Sequence, residues 1–226
     1  METPILLAGI LPDALAPYSF WLWTGLAIVL CFVIWRKILQ VLGVVIIPED
    51  KIGLVTKKFA LFGEFKQLPS GRIIALNGEA GFQAQTLAPG LYFWKWIWQY
   101  EITLQPLTVI QDGLIGLIMS KDGGELPAGA VLARRVDCQM FQDAEMFLRA
   151  GGQKGRQAAY LTPGTYRINM FLFEVTLAKM TQISENMVGI VTTLDGQPIE
   201  AGEIAGPTIP AHDNFQKAQA FLDGGG

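Results

Sequence analysis

Histidine occurs once in this chain, at His212, and cysteine twice, at Cys31 and Cys138. A single histidine excludes histidine-based metal clusters and His-x-x-x-His zinc helices. Neither cysteine has a CxxC partner, so there is no disulfide framework and no zinc-ligand spacing. Serine occurs four times (Ser19, Ser70, Ser120, Ser184), never within a Gly-x-Ser-x-Gly elbow. Ser120-Lys121-Asp-Gly-Gly reads as a hairpin turn rather than a serine–lysine dyad. Glu49-Asp50 are adjacent in a turn, which is poor geometry for paired acid and base work. Charged residues make up only 16% of the chain and the net charge is −3, so the basic footprint of a nucleic-acid binder is missing. No strand-to-helix glycine fingerprint and no Gly-Lys-Ser/Thr phosphate loop appears. These absences argue against an enzyme and leave catalytic, metal and cofactor-binding residues unassigned.

The one long stretch without charge is Tyr18 to Trp35, closed by Arg36-Lys37. A membrane-spanning helix needs about 20 mostly apolar residues to cross a hydrocarbon core of about 30 Å. Tyr18, Trp21 and Trp23 lie at one end and Trp35 at the other, where amphipathic rings favour the headgroup level. A buried core helix is the alternative, but such helices rarely stay uncharged all round. Only Glu2 and Asp13 are ionisable side chains before Tyr18, so the basic region of a cleaved signal peptide is absent. Arg36 and Lys37 follow the span with no Lys or Arg before it. By the positive-inside rule the bulk of the chain faces the cytoplasm, which predicts a single-pass protein of the cell membrane.

Beyond the span the texture changes to short β-branched runs punctuated by Gly and Pro, the signature of short strands with a few helices between them. Three stretches begin alike: Ile47 to Gly53, Ile110 to Gly116 and Ile183 to Gly189, each a polar turn feeding an apolar run. Gly81-x-Gln83-Ala84-x-x-Leu87-x-Pro89-Gly90 recurs 74 residues later as Gly155-x-Gln157-Ala158-x-x-Leu161-x-Pro163-Gly164. Pro89-Gly90 and Pro163-Gly164 are structural turns, with Pro setting φ and Gly supplying a positive one. Phe141-Gln142-x-Ala144-x-x-Phe147-Leu148 recurs as Phe215-Gln216-x-Ala218-x-x-Phe221-Leu222, at the same offset. It predicts amphipathic helices near 141–150 and 214–223, the second capped by Asn214. The predicted organisation is a short segment 1–17, an anchor 18–37, a membrane-proximal segment 38–47, and units at 48–110, 111–182 and 183–226. The last unit ends in mid-repeat, as expected for part of a longer protein. The fold class is α+β.

Tyr92-Phe-Trp-Lys-Trp-Ile-Trp-Gln-Tyr100 is the densest unusual stretch. If extended, it places Tyr92, Trp94, Trp96, Trp98 and Tyr100 on one face. That face is either a core strand or a contact with the bilayer interface. A nucleic-acid stacking platform needs surrounding basic residues, and only Lys95 is present. His212, in Pro210-Ala-His-Asp-Asn, suits a surface or capping role. Lys154 and Arg156 suit a solvated face.

Taken in order, the anchor, Ile47-Pro-Glu-Asp-Lys-Ile-Gly-Leu-Val, Gly71-Arg-Ile, Asn77-Gly-Glu-Ala-Gly-Phe-Gln, Leu87-Ala-Pro-Gly-Leu-Tyr-Phe-Trp, Gly151-Gly-Gln-Lys-Gly-Arg-Gln, Leu161-Thr-Pro-Gly-Thr-Tyr-Arg-Ile-Asn169 and Val188-Gly-Ile-Val-Thr-Thr-Leu-Asp-Gly-Gln-Pro form a recognisable series. The chain resembles the SPFH (stomatin, prohibitin, flotillin; band 7) superfamily, and within it the bacterial flotillin-like members. The resemblance implies SPFH-like β-rich domains and a non-enzymatic scaffold without cofactors. Its partners would be the lipid bilayer, many copies of itself around a membrane microdomain, and membrane-protein clients. The alternative it implies is a regulatory subunit that binds and restrains a membrane protease. A long helical, coiled-coil C-terminal region usual in the family is not among these residues.

Overall fold

The computed structural model describes residues 19–60 and 68–226; Tyr18 and the 1–17 segment lie outside them. The fold is mixed α+β, mostly strands with few helices, and has one N-terminal apolar helix long enough to span a membrane. Helix α1 (Ser19–Val41) has 23 residues, a length of about 34 Å at 1.5 Å per residue. Thr24, a polar residue within it, returns its hydroxyl to the carbonyls of Phe20 and Trp21, both at 2.9 Å, so it offers no unpaired group to an apolar surround. The helix runs through Arg36-Lys37 and stops at Gly43. Val44 N–H donates to Leu39 O and Gly43 N–H to Gln40 O, with Gly43 at φ +80°, the glycine-terminated Schellman arrangement.

The described residues divide into two compact units. One joins α1 through Val45 with Tyr92–Ile97; the other holds Ile46–Leu91 and Trp98–Gly226. The strands are β1 (Val45–Ile47), β2 (Lys51–Lys57), β3 (Ile74–Ala75), β4 (Gly81–Leu87), β5 (Gly90–Tyr92), β6 (Tyr100–Pro106), β7 (Thr108–Ile110), β8 (Leu114–Ser120), β9 (Leu132–Ala133), β10 (Gly155–Leu161), β11 (Gly164–Tyr166) and β12 (Phe173–Lys179). Two four-stranded sheets form, with orders β3-β4-β2-β6 and β9-β10-β8-β12. In each, the first pair is parallel and the others antiparallel. Short ribbons β1-β5 and β7-β11 repeat the correspondence.

Side-chain chemistry explains the repeated letters. Gln83 Nε2 donates to the carbonyls of Glu79 and Gly81, and Gln157 Nε2 to those of Gln153 and Gly155. Each glutamine thereby ties down the entry to its strand. Glycines 53 and 116 leave room for an isoleucine six residues earlier. A Cβ on Gly53 would meet Ile47 Cδ1 at 2.9 Å, and one on Gly116 would meet Ile110 Cδ1 at 2.6 Å.

The principal core gathers Ile110, Ile118, Leu161, Ile168, Leu172 and Phe173 from the second sheet and its connections. Helix α2 (Ala144–Arg149) adds Phe147 and Leu148, and the first sheet adds Ile74 and Ala84. Phe147 and Phe141 each meet Phe173 edge-on, at 5.0 and 5.3 Å between ring centroids. Such pairs contribute about 0.5–1.5 kcal/mol beyond burial alone. Asp143 caps α2 by accepting Met146 N–H at 2.8 Å.

Three expectations are corrected here. Helix α3 (Ala218–Asp223) begins later than 214, and Asn214 does not cap it. Asp213, Asn214 and Phe215 instead form a left-handed turn matching Gln139–Phe141 before α2, and Phe215 N–H donates to His212 Nδ1. Ser120-Lys121-Asp-Gly-Gly is no hairpin turn, because the chain leaves the sheet there and Asp122 turns inward. Met187–Thr193, which follows the third turn, forms no strand.

Candidate membrane-contact site

The exit of α1 is where the aromatic stretch gathers. Lys95 N–H donates to Gly43 O at 2.9 Å. A Cβ on Gly43 would lie 2.9 Å from Trp96 Cδ1 and 3.2 Å from the Trp94 carbonyl carbon, so the loop backbone packs flush on the helix terminus. Only a glycine satisfies both that approach and the positive φ. Trp94 and Trp96 meet edge-on at 5.8 Å.

This is not the extended strip that alternation predicts. Strand β5 ends at Tyr92, Trp94 adopts φ +64°, and residues 97–99 turn. Tyr92, Trp94, Trp96, Trp98 and Tyr100 therefore do not share one face. Tyr92 and Trp96 are half-buried, whereas Trp94 is 72% exposed and Phe93, on the opposite face by alternation, is exposed as well. Trp98 stacks on Phe59 at 5.8 Å, and Tyr100 opens β6. Gly43 closes the helix and orders the loop. Its sequence signal, a glycine just past a long apolar helix, was there to read.

On the helix, Trp21, Trp23 and Trp35 are all exposed, as are nearly all its apolar side chains. The turns Pro89-Gly90 and Pro163-Gly164 sit between β4 and β5 and between β10 and β11, with both glycines at positive φ.

Buried and half-buried polar side chains hold earlier strands from later stretches of the chain, and none was predicted. Asp122, fully buried, accepts N–H from Ile73 at 2.8 Å and Ile74 at 2.7 Å through Oδ2, and from Gly123 through Oδ1. Arg72 Nε lies 3.7 Å from its other oxygen. Asp195 repeats this arrangement on the second sheet, accepting Val131, Leu132 and Gly196 N–H at 2.9, 2.6 and 2.9 Å. Burial pushes the Asp195 carboxyl upward, but the three N–H donors outweigh it and hold its pKa below the ordinary value. Asn169, also fully buried, donates from Nδ2 to the carbonyls of Gln83 and Ala84 at 3.1 and 2.9 Å.

Among the described residues no three His, Cys, Asp or Glu side chains converge on a metal-sized site. Cys138 is a buried thiol whose pKa is raised by burial, with Asp137 and Asp143 adding to it. Lys154 pairs with Glu125 at 3.2 Å. A hollow of about 500 Å³ beside α2 is lined by Asp143, Glu145, Met146, Arg149 and Ala150, where Arg149 is already paired with Glu145. Comparison with family models, curated proteins and solved structures finds no match to this chain.

Proposed function

We propose that the chain is a membrane-anchored scaffold that assembles into homo-oligomers and organises or encloses a patch of bilayer. The observation that carries this reading is the exposed aromatic loop bonded to the exit of α1. A helix of about 34 Å outlasts a core of about 30 Å and carries the chain past Arg36-Lys37 to Gly43, so the loop with Phe93 and Trp94 lies on the headgroup side of the span. The Arg36-Lys37 pair supports a cytoplasmic position for the sheets. The resemblance to SPFH proteins supports assembly of many copies.

The test is the size and shape of the full-length protein gently extracted in detergent, by light scattering and electron-microscope imaging. A closed assembly of many subunits is expected; a monomer or dimer in every detergent refutes the scaffold. Membrane contact is tested separately, with a spin label at position 94 of the reconstituted protein. Lipid-like oxygen accessibility there, and water-like accessibility for a label at position 187, is the expected pair.

A further inference from the structure

His212, the chain's one histidine, stands where the second unit has Cys138, 74 residues earlier. Both residues open the same turn. Gln139, Met140 and Phe141 take φ of 53°, 54° and 62°, and Asp213, Asn214 and Phe215 take 52°, 51° and 62°. Left-handed backbone is unfavourable for each of these non-glycine residues, so a further bond has to hold the turn closed. The bonds that follow also match: Asp143 N–H donates to Cys138 O and Lys217 N–H to His212 O, at 3.2 and 3.0 Å. The grip at the head of the turn is what differs. Cys138 is buried, its thiol donates to Val136 O, and its sulfur accepts Phe141 N–H. His212 is half-buried, and its Nδ1 accepts Phe215 N–H at 2.8 Å.

A ring nitrogen that accepts carries no hydrogen, so the closed turn holds the neutral tautomer with its proton on Nε2. A second proton has to go to Nδ1, which turns the acceptor into a donor facing a donor. The Phe215 ring, 4.3 Å from the imidazole, attracts a cation, but it does not replace the acceptor that Phe215 N–H loses. The charged groups on the turn and on α3 are Asp213 and Lys217, ion-paired at 3.3 Å, and Asp223, bonded to Gln219. On the neighbouring β9–β10 pair they are Arg135, just past β9, and Arg156. Among the described residues no carboxylate pairs with His212, so none holds an imidazolium in place. What the turn seats is α3, which buries no residue completely and reaches the second sheet through Gln219 Oε1, the acceptor of Arg135 N–H at 2.8 Å. Helix α2 is different, because Phe147 anchors it in the core independently of its turn.

We propose that His212 is a proton-operated latch. Neutral, it closes the 213–215 turn and seats α3 on the second sheet; protonated, it releases both. Because the closed turn excludes the second ring proton, closure is favoured at higher pH and opening as pH falls. Imidazole gains its proton between about pH 8 and about pH 5, so the latch works within that window. The matching turn before α2, held by a thiol, stays closed throughout it.

The test is amide exchange of the detergent-solubilised full chain between about pH 8 and about pH 5.5, corrected for the intrinsic pH dependence of exchange. Protection over 215–223 is expected to fall by about tenfold across that range, while protection over 141–149 stays level. His212→Asn places an amide oxygen near the position of Nδ1, and His212→Cys installs the residue of the matching turn. Neither carries a ring that gains a proton, so with either one protection at 215–223 is expected to be the same at both ends of the range. His212→Ala, with no acceptor, is expected to show the low protection already at pH 8. A chain that keeps full protection at the acid end overturns the latch, because the turn then tolerates the imidazolium. The same fall in His212→Asn or His212→Cys assigns the dependence to another group and overturns it too. Full protection in His212→Ala at pH 8 also overturns it, since the turn then closes without the ring nitrogen.

Discussion

The second and third Ile-to-Gly stretches start from similar residues and reach different ends. Gly116 sits in a central strand with Leu161 and Val175 packed over it, whereas Gly189 has only Ile183 near it, on a segment open to solvent. The same contrast separates α2, whose Phe147 is fully buried, from α3, which buries no residue completely. Local sequence therefore builds the turn, the isoleucine–glycine contact and the short helix by itself. It does not build the strand, because strand backbone needs partners on its flanks to satisfy its N–H and C=O groups.

Substitutions at matched positions sharpen this contrast. Phe147→Ala removes a buried ring and lowers stability by about 3–5 kcal/mol, against about 1 kcal/mol for Phe221→Ala, read by chemical denaturation in detergent. Asp122→Ala leaves the buried Ile74 N–H and two further donors without an acceptor, a loss of about 3 kcal/mol. Asp195→Ala, at a half-buried site, costs about 1 kcal/mol. Gly116→Val overpacks the sheet by about 1–3 kcal/mol, whereas Gly189→Val shifts the melting transition very little because exposed Ile183 swings away. Equal losses at both members of any pair would break the comparison.

The smallest effect is one of pH. Asp195 has a folded pKa below its unfolded one, so its stabilisation is complete above the ordinary carboxylate range and is lost as pH falls through that range and below. Amide protection at Val131 and Leu132 should fall as pH drops below about 5, through the ordinary aspartate value near about 4 and beyond it, and Asp195→Asn should flatten that dependence. A dependence unchanged by the substitution would assign it to another carboxylate. Glu79, also held below its ordinary value, is the first to examine: burial raises its pKa, but N–H donors from its own and neighbouring residues prevail.

The parts of the fold that were legible are those specified within a few residues. The apolar helix follows from composition, and the Gly-x-Gln letters mark two strands of equal length because each glutamine bonds to carbonyls two and four residues back. The aromatic stretch misled because alternation presumes extended backbone. Docking of Trp94–Trp96 on Gly43 is a contact across some fifty residues that no periodicity reveals. Asp122 and Asn169 were hidden for the same reason, since their acceptors and donors lie 48 and 85 residues away. An aspartate before two glycines looks like an ordinary turn until its partner is known.

Both carboxylate clamps grip backwards, from a later stretch of chain onto an earlier strand. Tension entering from the C-terminal end would load Asp195 before Asp122, and each release would free only the stretch that follows it. Pulled in this direction, the chain should lengthen in discrete steps, each clamp acting as a mechanical fuse for the sheet it holds.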